Sequence, residues 1–239
     1  MENSIYLGLS RQIVLQTNMD IVANNIANMN TSGFRGQNPV FEEYVTDPRY
    51  NDDPLSFVQD YGQYQITSPG PIEQTGNPFH VALNGPGFMG VEMPGGETGY
   101  TRDGNFYKRE DGTLVTTAGY PVMGQGGAIL IPASASEVKI DERGVVSDQN
   151  GTIGQIQVVE FDNEQELEPV GNNLYTTDNG GKPAEKTAVA QGFLEGPNVN
   201  SVIEMSRMIE ILRDFQSTQK VLETEHERLR GAIQALTQV

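Results

Sequence analysis

The chain has no cysteine. Disulfides, thiolate metal sites and cysteine nucleophiles are therefore excluded, whatever the compartment. Histidine is almost as scarce, with His80 and His226 the only two in 239 residues. A Ser-His-Asp arrangement would need one of them, and neither sits in a motif. His80 alternates with Phe79 and Val81 and reads as a strand surface residue. Basic charge is short too: 15 Lys and Arg stand against 32 Asp and Glu, a net charge of −17. Between Gly36 and Thr101 nine acidic residues accompany a single basic one, Arg49. Such a surface is a poor partner for nucleic acid; it aids solubility and opposes casual self-association. No stretch approaches the length of a membrane-spanning helix. Met1-Glu-Asn-Ser is not basic, and the longest early apolar run is Ile13-Val-Leu15, so no cleaved secretory signal is expected. A protein that stays in the cytoplasm, or leaves it by a route without cleavage, is the expectation.

Motifs that would carry chemistry are missing their context. Gly85-Pro-Gly-Phe-Met-Gly90 matches G-x-G-x-x-G, but Val91-Glu-Met-Pro94 after it cannot open the helix that cradles a phosphate. Ser136-Glu-Val-Lys139 and Ser217-Thr-Gln-Lys220 fit S-x-x-K without the companion motifs of that chemistry. The acidic clusters Glu42-Glu43, Asp52-Asp53 and Asp162 to Glu168 lack the spacing of a calcium loop. Asn30-Thr-Ser32 and Asn150-Gly-Thr152 are glycosylation triplets without a secretory signal. No catalytic residue, metal ligand set or cofactor site is expected.

What is present is two heptad helices at the ends of the chain. Ser201 to Leu236 holds no proline and one glycine, Gly231. Met208, Phe215, Leu222, Leu229 and Leu236 recur at seven, and Met205, Leu212, Gln219, His226 and Ile233 form a second row. That spacing predicts a coiled-coil seam along a helix roughly 55 Å long. Ser201-Val-Ile-Glu204 reads as a capping box. At the other end Ile5, Gln12, Met19 and Ile26 repeat at seven, with Leu9, Gln16 and Ala23 between them. This helix is expected to stop at Asn28-Met-Asn-Thr-Ser-Gly33, where asparagine and glycine can turn left-handed; Gly33 is read as the terminator. Gln12, Gln16, Gln219 and His226 in the seams leave two alternatives open: a marginal helical hairpin, or a seam that closes only in a larger assembly.

The middle is different. Residues 37 to 74 are polar, broken by Pro39, Pro48, Pro54, Pro69 and Pro71, and carry Phe41, Tyr44, Tyr50, Phe57, Tyr61 and Tyr64. Extended segments packed on a neighbour are expected there. From Asn77 to about Thr177, short candidate strands alternate with Asn84-Gly85, Asp103-Gly104, Asp111-Gly112, Arg143-Gly144 and Asn150-Gly151, the pairs that supply positive φ in tight hairpins. Residues 178–197 are polar and turn-rich. The fold class is mixed α and β: long N- and C-terminal helices pairing as a coiled coil, with an all-β antiparallel domain between them. The expected division is 1–35, 36–74, 75–190 and 191–239.

One stretch is far more specific. Ala23, Asn24, Asn25, Ile26, Ala27, Asn28, Met29, Asn30, Thr31, Ser32, Gly33 and Phe34 together resemble the N-terminal signature of the bacterial flagellar rod and hook proteins. The similarity continues through Thr75–Phe79, Ala82–Phe88, Tyr100–Phe106, Asp111–Thr116 and Gly119–Val122, and resumes at Gln191–Glu195, Asn198–Asn200 and Glu204 to Ile209. Gly196-Pro-Asn198 and Arg213-Asp-Phe215 depart from the family pattern before and within the last helix. The short chain with one β-domain is similar to rod members rather than to the longer hook proteins, the proximal rod ahead of the distal.

The resemblance implies a non-enzymatic subunit of the flagellar basal body that transmits torque. It implies export through the flagellar type III apparatus and helical polymerisation in the periplasm with copies of itself and other rod proteins. Subunit contacts would fall on the terminal helices, at Ile5, Leu9, Met19, Ile26, Met205, Met208, Leu212, Phe215, Leu222, Leu229, Ile233 and Leu236, with the β-domain outside. Two other classes compete. A secreted carbohydrate-active β-domain would need a cleft with paired carboxylates. A coiled-coil regulator would be a dimer. Neither explains helical ends and β-centre together.

Overall fold

The computed structural model describes residues 2–46, 55–135 and 137–237. Tyr50, the Asp52-Asp53 pair and Ser136 lie outside the described residues. The chain divides into two compact units, residues 1–27 with 37–66 and 199–239, and residues 28–36 with 67–198.

The first unit contains both long helices, α1 (Glu2–Ala27) and α2 (Ser201–Thr237), and a hairpin of β1 (Gln37–Thr46) and β2 (Leu55–Gln65). α1 and α2 pair along their lengths and run antiparallel: Gly8 meets Leu222 at one end and Asn25 meets Glu204 at the other. The expected fold class is what the chain adopts, and the seam closes inside one chain. Leu15, Val22 and Ile211 are its buried centre, with Met19, Ile26, Met208 and Phe215 packed against them. A Cβ on Gly8 would stand 2.5 Å from Leu222 Cδ2. Glycine in mid-helix is unfavourable by about 1 kcal/mol relative to alanine, and here it makes the notch that seats a leucine. Gln37–Thr46 and Leu55–Gln65 pair antiparallel, with a bulge between Val40 and Phe41. Pro39 is tolerated because β1 has a partner on one side only.

α1 stops where expected, just before Asn28, but neither helix end is capped in the expected way. α1 stops at Ala27, and Thr31 N then donates to Asn28 O at 3.0 Å. Among the described residues Asn172 and Asn173 are the non-glycines with positive φ, so Asn28 and Asn30 do not turn left-handed. Gly33 does, at φ +64°, but six residues too late to terminate the helix. At the start of α2 the cap is Asn200, whose Oδ1 accepts from Val202 N at 3.0 Å and Ile203 N at 3.3 Å. The proposed box at Ser201 does not form, because Glu204 turns into the helix seam.

The second unit is antiparallel β throughout its described pairings. β3 (Ile72–Gln74) pairs with Phe193–Glu195, and β4 (Val81–Asn84) pairs with Ala188–Gln191. β5 (Phe88–Glu92) and β6 (Thr98–Thr101) sit in the middle of a six-stranded sheet. Residues 178–197 therefore contain strands, not only turns. Their apolar residues are few, Val189 being the buried one, so composition hides them. Side chains alternate along β5. Phe88 joins Tyr100, Val159, Leu167 and Tyr175 in one cluster, and Met89 joins Val81, Leu83, Phe106 and Leu114 in another. Gly104 keeps a negative φ, unlike the other expected hairpin glycines; a Cβ there would collide with the Val81 carbonyl oxygen.

Candidate assembly interface

Each terminal helix has two apolar faces, and one of them is used within the chain. On α2 the seam follows Glu204, Met208, Ile211, Phe215, Thr218, Leu222, Glu225 and Leu229, all buried or half-buried. Met208, Phe215, Leu222 and Leu229 therefore lie where the seven-residue row placed them. The second row does not. Met205 is 46% exposed, Leu212 39% and Ile233 60%, and Gln219 and His226 are exposed with them. The partner row is one residue earlier, through Glu204, Ile211 and Thr218, because the seam accepts two polar residues there. Leu236 has its side chain outside the described residues. On α1 the same shift applies. Ile5, Gln12, Met19 and Ile26 are half-buried, and the row beside them is Gly8, Leu15 and Val22, while Leu9, Gln16 and Ala23 are exposed.

The outward faces are apolar nonetheless. Val202, Met205, Ile209 and Leu212 recur at three and four residues on α2, and Tyr6, Leu9 and Ile13 do so on α1; all seven are exposed. A stripe at helical spacing that the described residues leave uncovered is a candidate interaction surface.

The motif residues do different work. Asn25 is buried and spends its whole carboxamide: Nδ2 donates to Gln37 O at 2.9 Å and to Glu204 Oε2 at 3.1 Å, and Oδ1 accepts from Gln37 N at 3.0 Å. Ile26 packs in the seam, and Ala23, Asn24 and Ala27 are exposed on α1. Asn28, Thr31, Gly33 and Phe34 belong to the β-unit, with Asn30 exposed there.

In the β-unit four family stretches converge on Arg102. Its side chain is wholly buried. Nε donates to Glu195 Oε2 at 2.8 Å, and Nη2 lies 2.6 Å from the same oxygen. Nη1 donates to the carbonyls of Gly85 and Gly87 at 2.7 and 2.6 Å. The stretch that resembled a dinucleotide loop thus holds a guanidinium instead. Burial lowers the Arg102 pKa, and the Glu195 carboxylate opposes that. Gly33 N donates to Glu195 O at 2.7 Å. A Cβ on Gly33 would strike the Arg102 main chain, 2.6 Å from its carbonyl oxygen. Gly33 is needed for its φ and for that close approach. Arg35 is buried, pairs with Glu164, and stacks 4.9 Å from the centre of the Phe88 ring. Asn198 completes the knot: Oδ1 accepts from Gly36 N at 2.7 Å and Nδ2 donates to Ser68 O at 2.8 Å. Burial also pushes the neighbouring Asp103 carboxyl up to about 6, and Tyr175 up to about 12. Sequence reasoning assigned no role to Arg35, Arg102, Glu195 or Asn198; their pairings span far too much chain to be read from spacing.

His80 is not a bare surface residue. Nδ1 lies 2.9 Å from Thr75 Oγ1 and Nε2 3.1 Å from Asn77 Nδ2, so both ring nitrogens brace the turn before β4.

Three family models match the chain: a flagella basal body rod protein model over residues 5–35, a flagellar hook protein FlgE/F/G D1 domain over 82–148, and a flagellar basal body rod FlgEFG C-terminal model over 190–235. The flagellar basal-body rod protein FlgF of Caulobacter vibrioides is 38% identical over the full length of both chains. FlgG of the same organism is 34% identical, covering 92% of this chain and 94% of its own. FlgG of Bacillus subtilis is also 34% identical, over 98% of each chain. The helices, the β-unit and the motif knot are thus matched from end to end, and the chain belongs to the flagellar basal-body rod protein family, with FlgF favoured over FlgG.

Proposed function

We propose that this chain is a structural subunit of the proximal rod, without enzymatic activity. It polymerises helically with its own copies and with other rod proteins, and so transmits torque to the hook and filament. The observation that carries the reading is the uncovered stripe on each terminal helix. The seam residues Ile5, Met19, Ile26, Met208, Phe215, Leu222 and Leu229 build the helix pair. Leu9, Met205, Leu212 and Ile233, with Tyr6, Ile13, Val202 and Ile209, meet neighbouring subunits. The terminal helices form the rod core. Export through the flagellar type III apparatus, without a cleaved signal, delivers the chain to the periplasm. Catalysis has little to work with here: His80 is engaged in a turn, and His226 is exposed on a helix. The test is Met205→Asp with Leu212→Asp, compared in swimming and in rod incorporation. Normal folding with loss of both is expected; normal swimming would refute the interface.

A further inference from the structure

The seam row Met208, Phe215, Leu222 and Leu229 does not by itself select one register of α2 against α1. α2 has 37 residues and α1 has 26, so α2 can slide without shortening the seam. A slip of one heptad moves it about 10 Å, at ~1.5 Å per residue. Phe215 then replaces Met208, Leu222 replaces Phe215, and Leu229 takes Leu222's place at the Gly8 notch. These three exchanges keep an apolar residue in the seam, while Thr218 takes the place of Ile211 and Glu225 that of Thr218, so the seam's centre is weakened but not lost. Repeats of this kind rely on polar positions to choose one register.

Asn25 and Glu204 are the pair that does not survive the slip. Seven residues beyond Glu204 stands Ile211, which cannot accept from the Asn25 amide. Asn25 is 1% exposed and Glu204 5%, so water would not replace the lost partner. The requirement for asparagine is chemical. Its carboxamide donates to Glu204, donates to Gln37 O and accepts from Gln37 N. A carboxylate there could not donate, and would sit beside Glu204. Arg207 Nη1 holds the other Glu204 oxygen at 3.2 Å and reaches Asn38 Oδ1 at 3.0 Å, which fixes the acceptor.

We propose that Asn25 and Glu204 are the positioning residues that set the register of α1 against α2, and with it the surface the pair presents. The inference rests on the helix pair within one chain, so its test does not depend on the rod reading. Because the chain has no cysteine, Gln16→Cys with Arg230→Cys can carry two nitroxide labels at exposed positions. Their separation in the full-length monomer is measured by pulsed electron paramagnetic resonance. A single distance is expected in the parent and in Glu204→Gln, whose amide oxygen still accepts from Asn25. Asn25→Leu with Glu204→Leu should keep its helix content and add a second population, with the labels closer by about 10 Å along the axis. Ile211→Ala, which weakens the seam without touching the node, should keep one distance. A single unshifted distance in the double leucine variant would overturn the proposal, as it would if the connecting segments alone fixed the register. Loss of helix in that variant, or a second distance in Ile211→Ala, would overturn it as well.

Discussion

The helical unit and the β-unit hold together by opposite means. In the helix pair, three fully buried apolar residues and a border of half-buried ones make a thin seam, with one polar node at its end. The β-unit has two apolar clusters and, beside one of them, two buried arginines with carboxylate partners. A thin seam leaves apolar surface over for other partners. A buried ionic knot does the reverse: it commits each group to one arrangement, because any charge left alone in the interior is costly. The unit proposed to carry the assembly is the one built with apolar surface to spare.

Breaking the knot should give the largest effect. Arg102→Ala strands Glu195 in the interior, and removal of one partner of a buried pair typically costs about 3–5 kcal/mol. The urea midpoint of the β-unit, followed by the near-ultraviolet circular dichroism of its tyrosines, should fall accordingly. An unchanged midpoint would mean that the pair contributes nothing to that unit.

Gly33→Ala comes next. A left-handed non-glycine costs about 1–2 kcal/mol, and the collision is with main chain, which cannot swing aside. Loss of β-unit stability with unchanged helix content is expected; a loss confined to the helices would restore the terminator reading.

The two faces of α2 should respond differently to an introduced charge. Leu222→Asp should weaken the helix pair in the monomer by about 1–2 kcal/mol, since Leu222 is half-buried and full burial of a leucine contributes roughly 1.5–3 kcal/mol. Met205→Asp lies on the open face and should change monomer stability by less than about 0.5 kcal/mol. Far-ultraviolet thermal melts separate them, and equal losses would erase the distinction between the faces.

These contrasts also explain how much was legible. Periodicity located both helices and one row of each, since Met208, Phe215 and Leu222 recur whatever they pack on. It placed the second row one residue off, because it assigned the most apolar residues to the seam. The structure puts Glu204 and Thr218 there and leaves Met205 and Leu212 outside. An apolar stripe looks no different in sequence whether its own chain buries it or leaves it open. Glycine at position 33 was legible as a positive φ, but not as a contact with Arg102. The Asn25–Glu204 pair spans 179 residues, and no local pattern reports such a distance.

A smaller effect separates the units by pH. Folding raises the Asp103 carboxyl from 3.8 to about 6, so the folded chain binds that proton more tightly than the unfolded one. Its contribution is complete below about 3.8 and is lost as pH rises through about 6. Relative to Asp103→Asn, the parent β-unit should gain on the order of 1–2 kcal/mol between pH 7 and pH 5. Parallel pH profiles for the two proteins would contradict this.

In the proposed rod, one face of α2 closes within the chain and the other closes between subunits. Single cysteines in this cysteine-free chain, cross-linked in assembled basal bodies, test it directly. Met205→Cys and Leu212→Cys should link to neighbouring subunits, while Met208→Cys and Phe215→Cys should not. Links from Met208 and Phe215 without links from Met205 and Leu212 would contradict the account.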